Sequence, residues 1–324
     1  MIRELFRDVQ SNRIVQAMAV ALVALAAWEF RLILALAFFA FTLAAALAPV
    51  TSHLGRRMPR VLAVLIPYIV ILALIGGGGY LLSGTVTAQL KDVATTLPHD
   101  VDQLLGNIAP SLKTKDIGEA IKQYVSNVGN FGNLLTIPEA LAEGLVEFLA
   151  VLVMSIYLLI DRDRWFAHMA TRTRAVAEDL EHTLGNWVRG QIALSVAVGL
   201  LVAIGLFIIG VSYAPVIGII SAFFEFIPYV GPILAGAVGV ILAANQSLPT
   251  AGLALIVFIL VQQLEAHVLA PQIMRYSVEV NPVAVILAVL AGFQFGSILG
   301  AVIAVPLVST ATLLWRHDMH AKSD

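Results

Sequence analysis

Apolar residues run along this chain in long blocks broken by short polar or basic stretches, without the strict alternation of a half-buried strand. Ile14 to Trp28 and Leu32 to Val50 are the first two blocks, turning at Glu29-Phe30-Arg31, and Val61 to Leu82 is the third. Ala140 to Ile160, Ile192 to Ile209 and Thr250 to Val268 follow. A helix needs ~20 apolar residues to cross ~30 Å of hydrocarbon, so each block predicts a membrane span. The pattern predicts an all-α, polytopic helical membrane protein with about six full spans.

Two further apolar stretches do not fit that template. Val211 to Ala243 reads VSYAPVIGIISAFFEFIPYVGPILAGAVGVILA, and its arms meet at Ile227-Pro228-Tyr229-Val230-Gly231-Pro232. Neither arm spans comfortably, and proline prevents one continuous helix. Val283 to Trp315 is interrupted by Gly292-Phe293-Gln294-Phe295-Gly296. Broken backbone at membrane depth is tolerated only where protein or a watery cavity surrounds it. Both stretches therefore predict broken or re-entrant helical hairpins, which makes eight spans if each is counted as one.

The polar stretches divide the chain. Residues 1–82 carry three spans, with Gly76 to Gly79 as a packing surface or, less simply, a gating hinge. Residues 83–139 turn polar and weakly acidic and read as a small extracytoplasmic helical domain; 140–160 is the fourth span, polar at its start through Glu143 and Glu147. Residues 161–189 read as a cytoplasmic amphipathic helix, with Trp165, Met169, Thr173, Val176, Leu180, Leu184 and Trp187 on one stripe. Residues 190–315 are the core with the two hairpins, and 316–324 form a cytoplasmic tail. The start of the chain resembles a signal peptide, but the second apolar block follows so closely that a transmembrane hairpin is the better reading.

Composition agrees: 60% of the residues are hydrophobic and 12% charged. A net charge of -2 and the lack of basic tracts give no sign of a nucleic-acid partner. There are no cysteines, hence no disulfides or thiolate metal sites. Fourteen of the nineteen Lys and Arg residues fall on one set of loops and at both termini, which places both termini in the cytoplasm. Trp28, Trp165, Trp187 and Trp315 fall at predicted span edges, as an aromatic belt requires.

Sliding the chain by 69 residues aligns Val211–Phe226 with Val280–Phe295 at six of sixteen positions, with Glu225 opposite Gln294. Gly231-Pro-Ile-Leu just beyond looks like Gly296-Ser-Ile-Leu. If this is a repeat, one full crossing between the units inverts the second, as in the inverted repeats of secondary transporters. The hairpin tips, Phe226 to Pro232 and Gly292 to Gly296, would then meet near the membrane middle with Glu225 as the only carboxylate between them.

Seven segments carry a family resemblance: Tyr157-Leu-Leu-Ile-Asp161-Arg-Asp163, Val188-Arg-Gly-Gln191, Phe226-Ile-Pro-Tyr-Val-Gly-Pro232, Val261-Gln-Gln-Leu-Glu265, Ala270-Pro271-Gln-Ile-Met274, Asn281-Pro282 and Gly300-Ala-Val-Ile-Ala-Val-Pro306. In this order and spacing the chain resembles the autoinducer-2 exporter family of bacterial membrane proteins. The resemblance implies export of a small polar metabolite, a homo-oligomer and a place in the bacterial inner membrane. The family typically has Gly-Asn after Glu265 and a His-Pro pair near Asn281, where this chain has Ala266-His267 and Asn281-Pro282.

The substrate or ion pathway is expected along Glu225, Pro228, Tyr229, Gly231, Pro232, Gln262, Glu265, Asn281, Gln294 and Gly296. Glu225 is the sharpest candidate, because an ionisable group among phenylalanines in an apolar run is costly to insert and can carry a proton. The simpler reading is a helix-end carboxylate satisfied by nearby amides. Gln262 and Glu265 share a helical face at a span end, where contact with water would also explain them. Arg189 and Gln191 open the fifth span as a membrane anchor or, by resemblance, as a gate or ion pair. The prolines and glycines are geometry that frees backbone groups to bind a cation or polar solute.

No nucleotide-binding loop, HExxH or placed catalytic triad occurs. The residues read as a secondary transporter rather than an enzyme, call for no cofactor or metal, and imply a lipid bilayer, a small polar solute and sodium, potassium or a proton as partners. Sodium(potassium)/proton antiport is the alternative within transport. A non-transporting membrane assembly or regulatory partner is the alternative outside it.

Overall fold

The computed structural model describes residues 22, 25, 28–73, 76–77, 139–274 and 281–321. The body of the first predicted span and the extracytoplasmic domain fall outside them. Among the described residues the elements are helical, with no strand. We number them α1 (Arg31–Leu54), α2 (Arg60–Ala73), α3 (Glu139–Ile160), α4 (Arg162–His168), α5 (Thr171–Ile208), α6 (Ala214–Phe224), α7 (Val230–Gln246), α8 (Leu248–Leu264), a π-turn at Glu265–Leu269, α9 (Ala270–Ile273) and α10 (Pro282–Ala321). Three stretches are long and apolar enough to cross a membrane, Arg31–Leu54, Thr171–Ile208 and Leu248–Ile273, and a fourth if α3 and the sharply bent α4 count as one. The chain is a polytopic helical membrane protein, as the apolar blocks predict.

The centre of the fold is α5. Its 38 residues extend about 57 Å at 1.5 Å per residue, with no proline to break them. The predicted boundary between an amphipathic helix and a span at residues 189 and 190 thus falls inside one continuous helix. The predicted stripe also divides: Trp165 is exposed on the separate α4, whereas Leu184 and Trp187 are buried in the protein core. Trp187 therefore does not belong to an aromatic belt, unlike the exposed Trp28, Trp165 and Trp315.

Small residues set how closely helices approach α5. On α1, Ala40, Ala44, Ala45 and Ala48 are buried, and a Cβ built on Gly185 of α5 would lie 2.4 Å from the Ala45 carbonyl oxygen. Gly199 of α5 and Gly218 of α6 face each other: a Cβ on either would come within 2.7 Å of the other's carbonyl oxygen. On the far side, Tyr68 of α2 and Ser155 of α3 share a buried hydroxyl–hydroxyl hydrogen bond. An added Cβ at Gly76 or Gly77 would meet nothing within 4 Å among the described residues.

Both broken stretches double back. Between α6 and α7 the chain reverses over Glu225 to Tyr229, and the arms pack on each other. The second reversal lies within α10, which is helical in backbone from Pro282 to Ala321. Residues eight apart in a straight helix are separated by about 12 Å along the axis. Yet a Cβ on Gly292 would lie 2.3 Å from the Gly300 carbonyl oxygen, and one on Gly300 would lie 2.0 Å from that of Gly292. The chain therefore turns back between these two glycines, close to the predicted interruption. Val285 and Val289 of one arm join Ala301, Ala304 and Val305 of the other in a cluster around Trp187.

Substituting a large residue at the α5–α6 crossing should separate these helices. Gly199→Leu is expected to lower stability by about 1–3 kcal/mol, since its Cβ alone would sit 2.7 Å from the Ala222 Cβ. Gly252→Ala on α8, where nothing lies within 4 Å of the new methyl, should be neutral or stabilising by about 0.5–1 kcal/mol. Thermal unfolding of the two variants in the same detergent checks the contrast.

Candidate functional site

The site is built on the first reversal. Val230 N–H donates to the Pro228 carbonyl at 2.8 Å, closing a three-residue turn centred on Tyr229, whose φ of 64° and ψ of -45° are those of the strained γ-turn. Gly231 N–H donates to the Ile227 carbonyl at 2.9 Å, and a Cβ on Gly231 would lie 1.8 Å from the Phe224 carbonyl oxygen. Only glycine fits there. Pro228, Tyr229 and Gly231 thus shape the turn.

Reversing a helix frees carbonyls that need donors. The Glu225 carbonyl receives the Gln191 side-chain amide of α5 at 2.7 Å, and both residues are 4% exposed. Arg189, two residues earlier, points the other way: its guanidinium donates to the Ala46 carbonyl of α1 at 2.8 Å and to the Asn186 side chain at 2.6 Å. Gly190 between them packs on Met274, whose sulfur would be 2.7 Å from an added Cβ. The Val188-Arg-Gly-Gln191 segment therefore ties α1, the first hairpin and the end of α9 to a single turn of α5.

The Glu225 side chain corrects one expectation. It has a carboxyl neighbour beyond the two hairpin tips: Glu265 lies within hydrogen-bonding reach. Glu265 opens the π-turn, and the Gln262 amide donates to its Oε2 at 2.9 Å. An inserted π-turn is frequent at functional positions. Here Glu265 is aimed at the hairpin rather than simply at water. Ser221, Glu225, Pro232, Phe258, Gln262 and Glu265 line a cavity of about 10 Å³, room for about one water-sized group.

Of the predicted pathway residues, Glu225, Pro232, Gln262 and Glu265 come together on this cavity. Asn281 does not: its side chain accepts the Val283 N–H at 2.9 Å and caps α10. Gln294 is exposed and is not among the cavity residues. The surroundings of Gly296 lie outside the described set; Gly300 packs against Gly292 across the second hairpin. Ile227 of the first tip packs on the Trp187 cluster, which both arms of α10 join. Ser221 and Phe258 were missed. Ser221 lies one turn before Glu225 on the same face of α6, a spacing that could have flagged it.

Removing the donor to the hairpin should be costly. Gln191→Leu leaves the buried Glu225 carbonyl without its amide and is expected to lower stability by about 1–3 kcal/mol. The thermal midpoint of the purified variant tests this, and an unchanged midpoint would show that the bond does not hold the turn.

Comparison with known proteins places this geometry in a lineage. Residues 17–317 match the model of the AI-2E family transporter. A Bacillus subtilis protein named "Putative transport protein YueF" is 28% identical over 290 residues, covering 80% of this chain and 77% of its own. YrrI of the same organism, under the same designation, is 24% identical over 302 residues, with 86% and 84% covered. MT0215 of Mycobacterium tuberculosis, likewise named, is 28% identical over 312 residues, with 87% and 82% covered. The chain belongs to the AI-2E family of membrane transporters.

Proposed function

We propose that this protein is an ion-coupled secondary transporter that exports a small polar metabolite or signalling molecule of the autoinducer-2 kind across the bacterial cytoplasmic membrane. Both termini face the cytoplasm, and the working form is a homo-oligomer in the lipid bilayer. The observation that carries the coupling is the meeting of Glu225 and Glu265 beside a cavity of water-molecule size. Two carboxyls in contact away from bulk water are not both charged and empty: they hold a proton or a small cation between them. One conformation takes up the ion and the other releases it, and that difference in affinity drives the solute step.

The same pair supports a second reading, sodium(potassium)/proton antiport, in which the ion is the cargo. The cavity's size favours an ion over a metabolite at this spot. The metabolite would then pass elsewhere along the two hairpins, whose freed backbone groups suit a polar solute. The exposed apolar face of α8, with Leu253, Ile256, Ile259 and Leu260, suits lipid or a second copy.

Liposomes holding the purified protein separate the readings. Proton movement on adding sodium or potassium, abolished to the level of protein-free liposomes in Glu225→Gln, supports antiport. Release of a loaded small polar solute that responds to the same substitution supports ion-coupled export. Because the two carboxyls act as one unit, Glu265→Gln should be as severe, and the double variant no worse than either single one. Silence of the wild-type protein in both assays overturns the transport reading of this site.

A further inference from the structure

The quartet Asp161-Arg162-Asp163-Arg164 at the end of α3 divides in two. Arg162 is spent on structure: its guanidinium forks onto the buried Glu181 of α5, Nε to Oε1 at 2.7 Å and Nη2 to Oε2 at 2.6 Å. Asp163 is held by Arg60 of α2 at 3.2 Å, while Arg60 also donates to the Leu159 carbonyl at 2.8 Å. These bonds fix where α4 leaves α3, at an angle of 61°. Asp161 and Arg164 are left over. They form a loose pair at 3.3 Å, with the Arg164 side chain 84% exposed.

With Trp165 and His168 these two line an open groove of about 290 Å³. The groove stands where the apolar α3 ends, and Tyr157 and Trp165 nearby in sequence expose aromatic rings of the kind enriched at membrane interfaces. Its chemistry is mixed in sign: a mobile guanidinium, an imidazole, a carboxylate and an indole. We propose that it binds the headgroup of a zwitterionic phospholipid, phosphoethanolamine. The phosphate meets Arg164, while His168 is held by its Nδ1 on the Arg164 carbonyl at 2.7 Å. The primary ammonium meets Asp161 and lies against the Trp165 ring. The bound headgroup exchanges partners with the Asp161–Arg164 pair, so neither charge is left alone.

The groove discriminates by what each headgroup lacks. Phosphoglycerol brings no cation for Asp161, and its negative charge is repelled there. Choline brings a cation that cannot donate a hydrogen bond to the carboxylate. This site is independent of the transport reading, because α4 makes no part of the Glu225–Glu265 cavity.

Native mass spectrometry of the full-length protein in detergent, titrated with dioleoyl phosphatidylethanolamine, phosphatidylglycerol or phosphatidylcholine, is the test. The wild-type protein should retain phosphatidylethanolamine at several-fold lower concentration than the other two. Arg164→Gln and Asp161→Asn should each weaken that retention roughly fivefold, the scale of an exposed charge pair. Arg172→Gln, an exposed charge on α5, should leave it unchanged. Equal retention of the three lipids, tighter binding of phosphatidylglycerol, or undiminished phosphatidylethanolamine retention in either groove variant would overturn the assignment.

Discussion

A helix that turns back in a dry environment must find partners for the backbone groups it uncovers, and the architecture around α5 answers that demand. The Gln191 amide serves the Glu225 carbonyl, and Gly231 lets its own backbone come against the Phe224 carbonyl where any side chain would collide. The turn costs strain at Tyr229, a non-glycine residue in left-handed φ space, and such strain persists only where surrounding contacts over-determine it. The segments that carried the family resemblance are the ones that supply those contacts. Val188-Arg-Gly-Gln191 braces the first hairpin, Gly190 receives Met274, and Glu265 meets Glu225. Motifs far apart in sequence are thus parts of one joint.

Much of the fold was legible in the sequence because apolar blocks report directly on spans. The block lengths gave the helices on α1, α3, α5 and α8, and proline and glycine gave both reversals within a few residues. What the pattern hid was continuity. A polar segment followed by an apolar one reads as two elements, but a helix crossing from water into lipid has both faces in a single rod, as α5 does from Thr171 to Ile208. Trp187 misled for the same reason. Its place at a hydropathy boundary matches a belt residue, and only the packing of both arms of α10 around it shows a core tryptophan.

The candidate site was half legible. A carboxylate inside an apolar run is expensive enough to be noticed alone, so Glu225 stood out, whereas Glu265 sat at the polar end of a span where water is a sufficient explanation. The two are 40 positions apart, and no periodicity joins them. Glu265 also opens a π-turn, a local irregularity with no dependable sequence signature. Asn281 lies apart from that cavity: a polar residue before a proline at a helix start is first of all a cap, and its side-chain oxygen accepts the Val283 N–H.

The two hairpins use one closing device. On the second arm of the first, Gly231 backs onto the carbonyl of Phe224; on the second arm of the other, Gly300 backs onto that of Gly292. Gly231 and Gly300 are separated by 69 residues, the offset that aligns the first arms. Given this correspondence, the difference between the hairpins becomes informative. Glu225 stands opposite Gln294, a near-isostere that cannot ionise, and α6 carries the buried carboxyl while Gln294 is exposed. A carboxyl on the second hairpin as well would add a third ionisable group to the Glu225–Glu265 pair, at further cost in an apolar interior. Restricting the ionisable group to one hairpin, and giving it a partner carboxyl from the intervening span, leaves the second hairpin free to shape the space around Trp187 and Ile227 without a charge of its own.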